Sequence, residues 1–278
     1  MTPNRKESKL ITVCDNSLKP TNMKVLSIKQ PWGSIICSGL KHVENRSWGL
    51  KTLPLRILIH VGATKVPKDN DDYLPEEWLS LMRNARTMGL LPENADLPYS
   101  AIIGWADVVR CDDPGKNTSE VWAQNEFTGW VLENVHIFDE PILNVKGKLG
   151  IFDYPMEENE LPASRPAVFN DIKVDGDNVI LPVNDSIWDK IEQGKLDEIQ
   201  YDLTDDNAEL FLKEDGQMQP VKTITITNNG RTAKYELLDD TYVGPYLTPD
   251  NQPYSFTSLA GDEGYQWLFI LFVLGKKL

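Results

Sequence analysis

Residues 26 to 60, LSIKQPWGSIICSGLKHVENRSWGLKTLPLRILIH, place a short helix between two apolar strands and crowd three charges just beyond it. Leu26 and Ile28 fall on one face, and Ser27 and Lys29 on the other, which is strand patterning. Pro31 suits the first turn of a helix, and Gly39 is placed to end it. The chain then returns to an extended pattern from His42 to Trp48, and Leu55 to Val61 reads as a strong second strand. Side chains two apart in an extended segment share a face, so Glu44 and Arg46 point the same way and Val43 points the other. Lys41 falls just past the helix end. Arg46 offers a planar fork of donors to a phosphate or carbonyl, and Lys41 a compact cation. Glu44 can orient both cations or accept a proton from an amino group, and Trp32 offers a flat stacking face. The same spacing also suits a plain Glu–Arg pair on a solvated strand, with Trp32 in the core.

Downstream, Pro75 to Met88 reads as a helix with Trp78, Leu81, Met82 and Ala85 on one apolar stripe, after a long acidic loop, KVPKDNDDYLP. Strands are expected over Ala101–Cys111, in FTGWVLENVHIF and in GKLGIFDY. Predominantly antiparallel strands with two helices predict an α+β unit, a small barrel capped by helices. Residues 1–22 read as a mobile polar tail without a secretory signal, 23–154 as the first domain, 155–166 as a linker and 167–278 as a second, acidic domain. In that second unit Asn184 or Asp185 can cap a helix through Glu192, ended by Gly194. Strands follow near Leu196–Leu203, Val221–Thr227 and Thr232–Leu238, with Asn228-Asn229-Gly230 as a hairpin turn. A long irregular segment, 241–264, precedes the closing apolar strand YQWLFILFVLGKKL.

The two halves read alike. Trp32, a helix, Gly39 and Lys41-x-x-Glu44 find counterparts in Trp188, a helix, Gly194 and Lys195-x-x-Glu198, with Gln200 where Arg46 stands. This pattern predicts a divergent internal duplication whose second copy has lost part of its site.

Charge is divided unevenly. The total is −14, yet residues 1–66 hold eleven Lys or Arg against three Asp or Glu. A basic front can present a positive cleft despite a negative total, while the acidic remainder also serves solubility. No apolar run reaches membrane-spanning length, so no membrane partner is expected. Cys14, Cys37 and Cys111 lack paired spacing and read as reduced thiols in a cytoplasm. Three histidines and scattered cysteines make a metal site improbable. No phosphate-cradling or dinucleotide glycine pattern is present, and no cofactor is expected. His60, inside an apolar run, reads more readily as a hydrogen-bonded core histidine than as an acid–base catalyst.

LSIKQPWGSIICSGLKHVENRSW closely resembles the opening of ASCH domains, members of the PUA-like superfamily, whose hallmark Gly-x-Lys-x-x-Glu-x-Arg stands intact as Gly39, Lys41, Glu44 and Arg46. The Gln30-Pro31-Trp32 opening, the strand ILIH with His60, AIIGWADV and WVLENVHIF follow in the family's order. The resemblance covers about residues 23–154 and is weak beyond, where only a degenerate copy is recognisable. It implies a PUA-like β-barrel with a cleft that binds RNA or a modified nucleoside. Ser27, Gln30, Trp32, Lys41, Glu44, Arg46 and His60 are the ligand-binding residues that it implies. Some relatives are enzymes, among them small amidohydrolases acting on N4-acetylcytidine and a ribonuclease. On that alternative Lys41 and Glu44 would be catalytic. Those amidohydrolases carry a threonine where this chain has Glu44, and Glu126 and Glu133 are the candidates by position for their separate glutamate. The acidic second domain is a candidate surface for a protein partner.

Overall fold

The computed structural model describes residues 22–66, 76–116, 122–167, 169, 172–203, 205–213, 216–245, 255–257, 263–266 and 268–278. The expected N-terminal tail, Cys14, most of the acidic loop before Glu76 and much of 246–262 lie outside them.

The first half runs β1 (Met23–Ile28), α1 (Trp32–Cys37), β2 (Val43–Arg46), β3 (Leu55–Val61), α2 (Glu76–Thr87), β4 (Ala101–Asp112), β5 (Thr128–Ile142), β6 (Ile151–Tyr154) and β7 (Ser164–Pro166). One seven-stranded sheet results, ordered β2-β5-β4-β3-β1-β6 with β7 on β5. β1 and β3 are parallel because α1 carries the chain back over the sheet, and β3, β4, β5 and β2 continue antiparallel. The ladder between β4 and β5 changes register repeatedly. Such bulges bend and twist the strands, and the sheet curls into a half-barrel. At one of these shifts Gly104 lets two backbones meet, since a Cβ there would lie 2.1 Å from the His136 carbonyl oxygen.

Both faces of the sheet are covered, which explains the near-continuous apolar runs. Ile36 and Cys37 of α1 pack with Leu26, Ile28, Ile57, Ile59, Val61, Val108 and Trp130 on one side. Met23, Val25, Leu58, Trp105, Phe138 and Phe152 fill the other. Ile36 is fully buried, and truncation of such a side chain to alanine costs about 2–5 kcal/mol. α1 ends at Gly39, whose φ of +78° and close approach to the Ala167 carbonyl leave no room for a side chain.

The second half contains β8 (Lys173–Asp175), β9 (Asn178–Pro182), α3 (Asp185–Glu192), β10 (Glu198–Asp202), α4 (Asp205–Ala208), β11 (Thr223–Asn228), β12 (Arg231–Leu237), β13 (Tyr242–Pro245), β14 (Ser255–Thr257), β15 (Glu263–Gln266) and β16 (Leu268–Lys277). Asn184 is the cap of α3, its side chain accepting from the Ile187 N–H at 2.8 Å. The hairpin between β11 and β12 turns through Asn229 and Gly230, both at positive φ. Its sheet runs β10-β16-β12-β11-β9-β8 with β13 on β16. β9 and β11 are parallel, as β1 and β3 are, and the strands beyond are antiparallel in the same succession.

The segment expected as linker holds a short 3-10 turn, Glu158–Glu160, and then β7, which pairs with β5 of the first sheet. The two halves meet along α2. Asn84 grips Asp202 of β10 by its backbone, accepting its N–H at 3.0 Å and donating to its carbonyl at 2.8 Å. Arg83 pairs with the Asp202 carboxylate. Asn184 donates to the Arg86 carbonyl at 2.9 Å, and Met88 enters the second core. Among the described residues no helix is long and apolar enough to cross a membrane.

Candidate functional site

α1 and β2 build the site from opposite ends of the turn at Gly39. Lys41 leaves that turn pointing inward and is only 2% exposed. Its ammonium donates to the Val43 carbonyl and to Glu44 Oε2, the latter at 3.2 Å. Burial pushes the Lys41 pKa below its ordinary value, and Glu44 offsets part of that effect. Glu44 is 7% exposed and shares its other oxygen, Oε1, with Arg46 Nη2 at 3.0 Å. Arg46 Nη2 also donates to the Ser27 carbonyl at 3.0 Å. β6 pairs with β1 only over Met23–Leu26, so Arg46 supplies a side-chain bond to β1 where the ladder has ended. The result is one carboxylate between two cations, with Arg46 tying the free end of β2 to β1.

A pocket of about 150 Å³ opens beside this triad, lined by Trp32, Lys41, Glu44, Asn45, Trp78 and Gln124. Drug-sized ligands take roughly 300–1,000 Å³, so this volume suits a single ring system. Trp32 and Trp78 meet edge to face with centroids 5.2 Å apart and planes at 80°, forming a two-walled corner. Trp122 backs both rings, 5.1 Å from Trp78 and 6.3 Å from Trp32. Asn45 fixes the loop behind them, donating to the Trp122 carbonyl at 2.8 Å and accepting from the Gln124 N–H at 3.0 Å. A larger groove of about 610 Å³ lies on the second half beside Lys222, Glu236 and Leu278, without a comparable set of buried charges.

The expected residues separate into three groups. Trp32, Lys41 and Glu44 line the pocket, and Arg46 braces Glu44 from behind. Ser27 and His60 lie apart from it. Ser27 Oγ is 3.1 Å from His60 Nδ1, the His60 Nε2 is 2.9 Å from the Val145 carbonyl, and Gly147 packs over both side chains. Gln30 is buried at the head of α1, bonded to Ser34 Oγ and the Pro98 carbonyl, both at 2.8 Å. Glu126 and Glu133 are exposed and do not line the pocket. Burial pushes the Cys37 thiol far above its ordinary range, which makes it a poor nucleophile. In the second half Lys195, Glu198 and Gln200 are exposed, so these three residues do not form a buried triad. Asn45, Trp78 and Gln124 were not among the expected binding residues. Trp78 carried a signal, its place on the α2 stripe, but a core residue and a pocket wall look alike in such a pattern.

Residues 26–142 match the family model of the ASCH domain. The chain carries an ASCH domain. No curated protein matches the chain. The matched segment begins in β1 and ends with β5, so it includes the whole triad and every pocket residue. ASCH domains are PUA-like and are associated with RNA binding. The ASCH segment thus holds both the Gly39–Lys41–Glu44–Arg46 run and the corner formed by Trp32 and Trp78.

Proposed function

We propose that this protein binds RNA, and that its ASCH pocket holds one base or modified nucleoside between the indoles of Trp32 and Trp78 and the Lys41–Glu44 pair. The observation that carries this reading is the pairing of a flat aromatic corner with an acceptor and a donor at its inner end. A base presents a π-face to the indoles, and stacking of this kind is worth about 1–3 kcal/mol. Its edge carries adjacent donors and acceptors, which Glu44 and Lys41 complement. A phosphate fits the inner end poorly, because it would face the Glu44 carboxylate. Arg46 acts by holding Glu44 in position. Ser27, Gln30 and His60 support the strands and helix that frame the pocket.

We further propose that residues 167–278 are a divergent ASCH-like copy, given the shared strand order and sense, and that this copy braces α2. Its exposed acidic surface remains a candidate contact for a protein partner. Cytoplasmic residence and an absence of cofactor accord with this reading. The hydrolase alternative draws support from one observation, the buried Lys41 with its lowered pKa. In this chain Glu44 and the Val43 carbonyl hold the ammonium, which favours holding a base over transforming one.

Titration of labelled single-stranded RNA and of a nucleoside panel, N4-acetylcytidine included, tests the proposal. Wild type is expected to bind, and Trp32→Ala to bind roughly tenfold or more weakly. Equal weak binding by both would refute it. Lys41-dependent release of cytidine from N4-acetylcytidine would favour the hydrolase.

A further inference from the structure

Trp48 lies two residues beyond β2, in the bend that follows the strand. It is 38% exposed, whereas Trp78, Trp105, Trp122, Trp130 and Trp188 are buried. The fold nonetheless holds it firmly. Its ring meets buried Trp130 edge to face, with centroids 4.7 Å apart and planes at 85°. The Trp130 indole N–H donates to the Trp48 carbonyl at 2.8 Å, which pins the backbone as well. Beside that contact, more than a third of the residue is accessible to solvent.

Trp130 also locates Trp48 relative to the pocket. It is the direct cross-strand partner of Glu44. Directly opposed residues share a sheet face, with Cβ atoms about 4.5–5.5 Å apart. Glu44 and Trp48 are therefore both neighbours of one buried indole. Arg46, partly exposed, lies between them in the chain, and Lys51 is exposed three residues further on. No Asp or Glu occurs from Asn45 to Lys68. β4 does bring Asp112 near this loop, since the Leu50 N–H donates to Cys111 Sγ at 3.4 Å, but Arg110 pairs with Asp112 at 2.7 Å.

We propose that Trp48 offers a second stacking surface beside the pocket, so that the ligand is single-stranded RNA with at least two adjacent bases rather than a free nucleoside. One base enters the corner formed by Trp32 and Trp78, its neighbour stacks on Trp48, and the linking phosphate faces Lys51. This inference rests on the base-holding reading of the pocket. It adds affinity to a strand without altering what the pocket does to a single base.

The test uses the full chain as wild type, Trp48→Ala and Trp48→Phe, titrated with a short mixed-sequence RNA and with the free nucleosides. Trp48→Ala is expected to bind the RNA roughly tenfold more weakly than wild type. It should bind nucleoside as wild type does, which also shows that it is folded. Trp48→Phe should keep most of the RNA affinity, because a smaller aromatic face remains. Unchanged RNA affinity in Trp48→Ala, with nucleoside still bound, would overturn the second surface and leave the pocket reading standing. Wild type that binds neither probe would overturn both.

Discussion

Lys41 keeps its place in the core because Glu44 and the Val43 carbonyl accept hydrogen bonds from its ammonium. Burial still dominates, and its folded-state pKa lies below the ordinary value of 10.5. As pH rises, the folded protein therefore loses this proton before the unfolded chain does. Stability gains across the window from the folded-state pKa up to about 10.5, with a slope of at most about 1.4 kcal/mol per pH unit for one proton. Below that window the gain is absent. Denaturant unfolding of wild type and Lys41→Met, followed from neutral to alkaline pH, should show wild type gaining relative to the variant. A difference that stays flat would mean that Lys41 titrates alike in both states. At this scale the sequence was legible where a simple period applied. Glu44 and Arg46 share a face because side chains two apart in a strand do so, and their ion pair follows. Asn45 was not legible, because its contribution is made through the Trp122 carbonyl and Gln124 N–H, far away in the chain.

Most elements of the first half could be read from period and punctuation. Pro31 and Gly39 bracket α1, and the alternation at Leu26 and Ile28 marks β1. β5 runs beyond its expected end to Ile142, because bulged pairing with β4 carries it past the polar residues Asp139 and Glu140. α2 shows why a stripe gives incomplete information. Its Trp78 walls the pocket at one end, while Arg83, Asn84 and Met88 enter the second half at the other. The helix is therefore a strut whose far end is fixed by β10. Hydrogen bonds to charged groups contribute about 1.5–3 kcal/mol, so Asp202→Ala should lower stability by about that amount. Because Trp78 rides on the same helix, RNA affinity should fall as well. Thermal melts together with RNA titration of this variant would check both effects. Lower stability with unchanged affinity would show that Trp78 holds its position without the second half.

For the whole molecule, the net charge gives less information than the division between a basic front and an acidic remainder. Each sheet sets one parallel pair beside an antiparallel run, and in the second half the helix was legible through its Asn184 cap and Gly194. What the sequence could not convey was how the second half would be used. The strand that follows its glycine, β10, buries Asp202 against α2 and leaves Lys195 and Glu198 in solvent. An exposed and a buried Lys-x-x-Glu have the same spacing, and only the surrounding packing distinguishes them. The halves consequently take unequal roles in this account, one holding a base and the other holding the helix that walls the pocket. A structure determined with a short RNA bound tests that claim most directly. The account predicts one base in the corner of Trp32 and Trp78 with its edge on Glu44 and Lys41. RNA bound elsewhere with that corner empty, or a phosphate seated against Lys41, would contradict it.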